Sequence, residues 1–172
     1  MTTTGSKHLV ELKARYEDLG KARALLHGAE HLDTVRQTDT YFAIGDRRLK
    51  LRAVAGRADG QIIYYERPDL GGVKESRVLL GHVEDIGVVL EMLRNVFPVL
   101  AEVRKTREIY RLEGVQVHLD VVEGLGRFIE FEKVLTSEAD REAALAKLES
   151  LRGYFDIGIE DLMASSYSDL VA

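Results

Sequence analysis

Ionised side chains recur at every second position through several β-forming stretches of this chain. Glu11, Lys13 and Arg15 alternate with Val10, Leu12 and Ala14, and Arg48, Lys50 and Arg52 alternate with Leu49 and Leu51. Lys105 and Arg107 lie two apart, as do Glu130 and Glu132. Residues two apart in a strand project from the same face, so each stretch has one apolar and one charged face. An ordinary surface sheet would carry mixed, interchangeable polar residues there. Here some stretches bring several cations and others bring carboxylates. That sorting suits a site that grips a polyanion and holds divalent metal ions beside it.

A chain of 172 residues fits one domain with a sizeable core. Its formal charge of −5 argues against a nucleic-acid-coating protein, which needs a broad basic face. A small basic pocket inside an acidic molecule remains compatible with that balance. With no cysteine, neither a disulfide frame nor a thiolate metal site is possible. The first residues lack the apolar stretch of a secretory signal, and no segment is long enough to span a membrane. The expected location is the cytoplasm, with no membrane partner.

Period-two alternation and turn residues predict strands over residues 8–15, 33–43, 48–54, 61–67, 74–80, 100–112, 115–121 and 128–134. Helical spacing predicts helices over 17–28 and 83–95. A third follows Ser137, which can cap it with Asp140 at the third position, and runs on Ala144, Leu148, Leu151 and Phe155. A last short helix is expected over 160–170. Helices thus follow the first, fifth and eighth strands, and short turns join most of the others. This order favours antiparallel hairpins over a parallel doubly wound sheet. The apolar faces need covering, and the amphipathic helices supply it. The expected fold is α+β: a closed or nearly closed antiparallel eight-stranded barrel with a polar lumen and helices packed outside.

The basic candidates are Lys13, Arg15, Lys50, Arg52, Lys74, Arg77, Lys105 and Arg107. A triphosphate would suit such a set, because Arg forks bind phosphate oxygens bidentately. The acidic candidates are Glu11, Asp120, Glu130 and Glu132, with Glu123 and Glu66 weaker. Hard cations such as Mg²⁺ prefer carboxylate oxygens and share their other positions with water and phosphate. The competing reading makes all of these solvated ion pairs. His118 alternates with core valines and reads as a structural partner. His8, His27, His31 and His82 form no ligand-spaced cluster. Gly124-Leu125-Gly126 reads as a turn between strands. Tyr41, Tyr64 and Tyr65 read as core or rim residues, one of which could stack on a ring of a ligand.

These stretches, in this order, resemble the CYTH domain, the triphosphate tunnel fold of class IV adenylyl cyclases and of thiamine or inorganic triphosphatases. The resemblance runs over nearly the whole chain, one domain over 1–172. It rests on Val10-Glu11-Leu12-Lys13, Asp39-Thr40-Tyr41-Phe42, Arg48-Leu49-Lys50-Leu51-Arg52 and Tyr64-Tyr65-Glu66-Arg67-Pro68-Asp69. It continues through Lys74-Glu75-Ser76-Arg77, Val103-Arg104-Lys105-Thr106-Arg107, Leu119-Asp120, the run from Gly124 to Glu132, and Tyr167-Ser168-Asp169-Leu170. It implies that Lys13, Lys50, Arg52, Lys74, Lys105 and Arg107 hold a triphosphate. It implies that Glu11, Glu130 and Glu132 hold Mg²⁺ or Mn²⁺, and that Asp120 is a further ligand or orients the nucleophile. Lys13, Arg107 and Asp120 are then the expected catalytic residues. The implied reaction converts ATP to cyclic AMP and pyrophosphate. The alternatives are an inorganic or thiamine triphosphatase and a non-catalytic nucleotide- or polyphosphate-binding module. The Tyr64–Asp69 and Lys74–Arg77 stretches resemble the cyclase branch. The family opens on Glu-x-Glu-x-Lys, whereas this chain has Leu9-Val10-Glu11-Leu12-Lys13, so the first carboxylate is absent. Arg127 stands where an acidic residue is common. A homodimer over the barrel's outer faces is compatible with the sequence.

Overall fold

Val10, Leu12 and Ala14 turn outward from the first strand, β1 (Gly5–Arg15), and are buried beneath helices, while Glu11 and Lys13 turn inward. The same rule organises the whole sheet. The computed structural model describes residues 4–66 and 73–171. After β1 come α1 (Leu19–Leu25), β2 (Glu30–Ile44), β3 (Arg47–Val54), β4 (Gly60–Glu66), β5 (Lys74–Val83) and α2 (Ile86–Val96). Then follow β6 (Val99–Leu112), β7 (Val115–Val122), β8 (Gly126–Leu135), α3 (Arg141–Tyr154) and α4 (Tyr167–Val171). The eight strands close in the order β1-β5-β4-β3-β2-β6-β7-β8, every neighbouring pair antiparallel. Helices follow the first, fifth and eighth strands, as the hydrophobic periodicity predicts. Among the described residues, closure leaves no edge strand.

Two helical covers bury the outward apolar faces. On β1, β7 and β8, Leu12, Val117, Leu119, Ile129 and Phe131 meet Leu19, Ala22 and Leu26 near α1, and Ala144, Leu148, Leu151 and Phe155 near α3. On the opposite side, Phe42, Leu49, Leu51 and Ile62 meet Ile86, Val89, Leu90, Leu93 and Phe97. Each large side chain so buried contributes roughly 1.5–3 kcal/mol. α1 has only seven residues, too few to be stable alone, so this packing sustains it. Asp18 and Asp85 start α1 and α2 by accepting from the Lys21 and Val88 backbone N–H groups. The outer stripe of α2 (Val88, Met92 and Val96) stays exposed.

Turn chemistry fixes the strand register. Glu113 and Gly114 take φ of 49° and 77° between β6 and β7, the left-handed pair of a tight hairpin. That hairpin sets Arg107 opposite Asp120. Gly45, at φ 74°, turns β2 into β3 and sets Asp39 opposite Arg52.

Three expectations differ in extent. The first helix is shorter than 17–28, because the chain turns after Leu26 and enters β2 at Glu30. The strand expected to end at residue 67 is described to Glu66, and the break over 68–72 lies outside the described residues. The helix expected over 160–170 is divided into a 3-10 turn at Ile159–Asp161 and α4. Between them the Met163 N–H donates to the Lys13 carbonyl and Leu162 bridges Ala14, so this segment is bound to the end of β1. Among the described residues no helix is long and apolar enough to cross a membrane.

Candidate functional site

The inward faces enclose a cavity of about 270 Å³. Its lining brings together Lys13 from β1, Lys50 and Arg52 from β3, Lys105 and Arg107 from β6, and Glu130 and Glu132 from β8. The distribution is ordered rather than mixed, because each cluster forms around one buried carboxylate.

Asp39, fully buried, accepts two hydrogen bonds from Arg52, through Nε and Nη2 at 2.8 Å each. Lys50 Nζ lies 3.1 Å from it and Lys105 Nζ 3.6 Å. Asp120, also fully buried, accepts from Arg107 Nε at 2.7 Å and Nη2 at 2.6 Å, and from the Tyr167 hydroxyl at 2.8 Å. Glu130 pairs with Lys13 at 3.1 Å and lies 3.6 Å from Arg107. His118 Nδ1 is 3.2 Å from Glu130, and its Nε2 is 3.1 Å from the Gln116 carboxamide oxygen. The Tyr167 ring lies against both Lys13 and Lys105, whose Nζ atoms are 4.1 and 5.1 Å from its centroid.

Burial opposes ionisation of Asp39, but the charges of Arg52, Lys50 and Lys105 prevail and hold it well below the usual carboxylate range. Burial likewise opposes ionisation of Asp120, and Arg107 overrides it, pushing the group down to about 2. Glu130 is held low against its burial by Lys13 and Arg107. The lysines move the other way. Burial lowers Lys50 to about 8 despite Asp39. Burial, with repulsion from Arg107, lowers Lys105 to about 7. Burial and the Asp120 charge raise Tyr167.

These directions carry a pH prediction. Above pH 7 the unfolded chain, with ordinary lysines, binds more protons than the folded one, so the two lysines add stability as pH rises from about 7 towards 10. A polyanion beside them favours their charged forms, so its binding draws protons from solution. Calorimetry with tripolyphosphate at pH 8 in buffers of different ionisation enthalpy is expected to show net proton uptake, vanishing near pH 6 where both lysines are already charged. No uptake at pH 8 would mean the anion binds away from Lys50 and Lys105.

The structure places the other expected residues as follows. Lys74 is buried in register opposite Glu11, and Glu11 is in register with Glu132, so all three face the lumen. Arg15 is the last residue of β1, paired with Phe128 at the end of the barrel, where it is exposed and its Nη1 donates to the Leu125 carbonyl. Arg77 lies on the outer face, 79% exposed and 3.4 Å from Glu138. Strand pleating explains this: Lys74, Ser76 and Val78 alternate with Glu75, Arg77 and Leu79, so Arg77 cannot share a face with Lys74. Both arginines therefore lie outside the set of side chains that lines the cavity.

Asp120 accepts from Arg107 and Tyr167 and is outside the described carboxylate and histidine groups spaced to hold an ion. The group that does form is His118, Glu130 and Glu132, whose ligand atoms lie within 4.8 Å of one another. His118, read from the sequence as structural, therefore lies among the possible ligands. The surface group His8, Glu75 and Glu138 meets the same spacing but is engaged by Arg77 and Arg141. Glu66 is at the exposed end of β4 beside Arg47, and Glu123 sits in the β7–β8 turn. Tyr41 and Tyr65 line the lumen, whereas Tyr64 faces out and donates to Glu66. Arg67, Pro68 and Asp69 lie outside the described residues.

Sequence reasoning missed Asp39 and Tyr167. Asp39 shares strand parity with Gln37 and Tyr41, a usable signal. Tyr167 reaches the lumen from α4, and no periodicity announces that.

A family model, the CYTH domain, matches residues 7–167. The chain belongs to the CYTH domain family. A Methanocaldococcus jannaschii protein named as a candidate adenylate cyclase is 28% identical over 94% of this chain and 97% of its own. Among solved structures, the PH1012 protein of Pyrococcus horikoshii superposes with a TM-score of 0.86 at 24% identity, covering 95% of this chain and 99% of that one. The PH1819 protein of the same organism gives 0.74 at 27% identity, covering 94% and 97%.

Proposed function

We propose that the lumen holds the triphosphate of ATP and that the protein closes it to cyclic AMP with release of pyrophosphate. The observation that carries this reading is the convergence of Lys13, Lys50, Arg52, Lys105 and Arg107 from three strands on one cavity. Five cations exceed the three buried carboxylates Asp39, Asp120 and Glu130 that they pair with, and burial with repulsion from Arg107 already lowers Lys105. The name carried by the M. jannaschii relative favours the cyclase among triphosphate reactions.

Arg52 and Arg107 are oriented before any substrate arrives, each locked by two hydrogen bonds to a buried carboxylate. Their remaining N–H groups, with Lys50 and Lys105, hold the β- and γ-phosphates and stabilise the charge that grows on departing pyrophosphate. Lys13, anchored by Glu130, faces the reacting α-phosphate. The ATP 3′-hydroxyl attacks the α-phosphorus and releases its proton to solvent, and the bond to the bridging oxygen of pyrophosphate breaks, that oxygen leaving with the bonding electron pair. Asp120 acts here as a positioning residue, through Arg107 and Tyr167. The donor set fits a hard ion: Mg²⁺ or Mn²⁺ held by Glu130 and Glu132, beside His118 and Glu11, would neutralise charge on the phosphate oxygens.

Phosphorus NMR tests the reaction, with Mg²⁺ or Mn²⁺ and ATP, tripolyphosphate or thiamine triphosphate in separate runs. The expected products are pyrophosphate and cyclic AMP from ATP. Orthophosphate from the other substrates would instead establish a triphosphatase. Ligand line broadening without turnover would establish a binding module.

A further inference from the structure

The lumen is not charged all round. Its β1-β5-β4 wall carries an apolar patch: Leu9, Ile63, Val78 and Tyr65 form one buried cluster against which Leu80 packs, and all five line the cavity, beside the polar Lys7, Gln61 and Ser76 of the same strands. Strand register makes them contiguous. Ile63 lies opposite Leu80, Tyr65 opposite Val78, and Leu9 opposite Ser76. The same register joins this wall to the cationic one, because Lys50 lies opposite Ile63 on the next strand. Leu9 is one inward position from Glu11 and two from Lys13. The family's first glutamate would stand at Leu9, so this chain continues the apolar surface where a carboxylate is expected.

Such a wall has chemical consequences. A phosphate oxygen laid against Leu9, Val78 and Leu80 would lose water and find Lys7 and Ser76 as donors beside the patch, fewer than the opposite wall offers. An apolar ring laid there gains by leaving water. The cavity of about 270 Å³ is at the small end of ligand sites, so it suits a compact group rather than a long chain.

We propose that this wall is the specificity surface for the organic half of the substrate, taking a compact aromatic or apolar ring carried on a phosphate chain held by the opposite wall. The proposal rests on the triphosphate reading above and narrows it. Inorganic tripolyphosphate, charged along its whole length, fills only half of such a site.

Titration calorimetry of the intact protein with phenyl triphosphate, methyl triphosphate and tripolyphosphate tests this without requiring turnover. The expected result is phenyl triphosphate binding about tenfold or more tighter than methyl triphosphate. That preference should collapse in Val78→Ser and in Leu9→Glu, while Val78→Ser still binds tripolyphosphate. Equal affinity for phenyl and methyl triphosphates in the unaltered protein would overturn the specificity surface and leave the tunnel reading standing. A phenyl preference that survives both substitutions would place the ring elsewhere and also overturn it. Failure of all three ligands to bind would bring down the triphosphate reading itself.

Discussion

Replacing Arg107 with alanine is expected to cost about 3–5 kcal/mol of folding stability and to abolish tight triphosphate binding. Arg107 is buried and supplies two of the hydrogen bonds to fully buried Asp120. It also lies 3.6 Å from Glu130. Removing it leaves Asp120 ionised with only the Tyr167 hydroxyl as a direct partner, or forces protonation of a group otherwise held near 2. Urea denaturation reads the stability and calorimetry with tripolyphosphate reads the binding. The paired variant Arg107→Met with Asp120→Leu separates the two effects. Removing both charges leaves neither member of the pair unpaired, only the Tyr167 hydroxyl without its acceptor and Glu130 with Lys13 and His118, so much of the stability should return. Triphosphate binding should not, because the fork is gone. A stability loss under about 1 kcal/mol in Arg107→Ala would show that the pair behaves like a surface ion pair.

Asp39→Ala is the second large effect, with a different signature. Asp39 is the common counter-ion of Arg52, Lys50 and Lys105. Without it Arg52 loses its counter-ion, and Lys50 and Lys105, already lowered to about 8 and about 7 by burial, are driven further towards their neutral forms, so a cost of about 3–5 kcal/mol is expected. A polyanionic ligand replaces the missing charge. Tripolyphosphate should therefore raise the melting temperature of Asp39→Ala more than that of the unaltered protein, by ordinary linkage of binding to stability. Arg107→Ala should show the opposite, a smaller shift. Equal shifts in Asp39→Ala and the unaltered protein would mean that the phosphates do not approach the Asp39 cluster.

The contrast between these two carboxylates shows what the sequence reveals. Asp120 is legible because it sits among Val117, Leu119 and Val121 with the parity of His118, so the pleat alone turns it inward. Asp39 shares its face with Gln37 and Tyr41 just as clearly, but its meaning depends on Arg52 lying opposite it. That pairing is a hairpin register set by the turn at Gly45, and alternation within one strand carries no register. Arg77 shows the reverse. Lys74 and Arg77 belong to one motif, yet three residues apart in a strand places them on opposite faces, so parity should have prevailed over motif. Arg15 has the right parity but is the last residue of β1, at the exposed end of the barrel, a matter of where the strand stops. Tyr167 comes from a five-residue helix, and its contact with Asp120 spans 47 positions. Nothing local predicts a contact of that range. The barrel itself was legible, because strict alternation with outward apolar faces leaves few other ways to bury both kinds of surface.

A crystal structure of the protein grown with tripolyphosphate and Mn²⁺ tests the central claim most directly. Phosphate density is expected inside the barrel, within hydrogen-bond distance of Arg52, Lys105 and Arg107, with anomalous manganese signal beside Glu130 and Glu132. An empty lumen, with phosphate bound only at outer arginines such as Arg15 or Arg77, would contradict it.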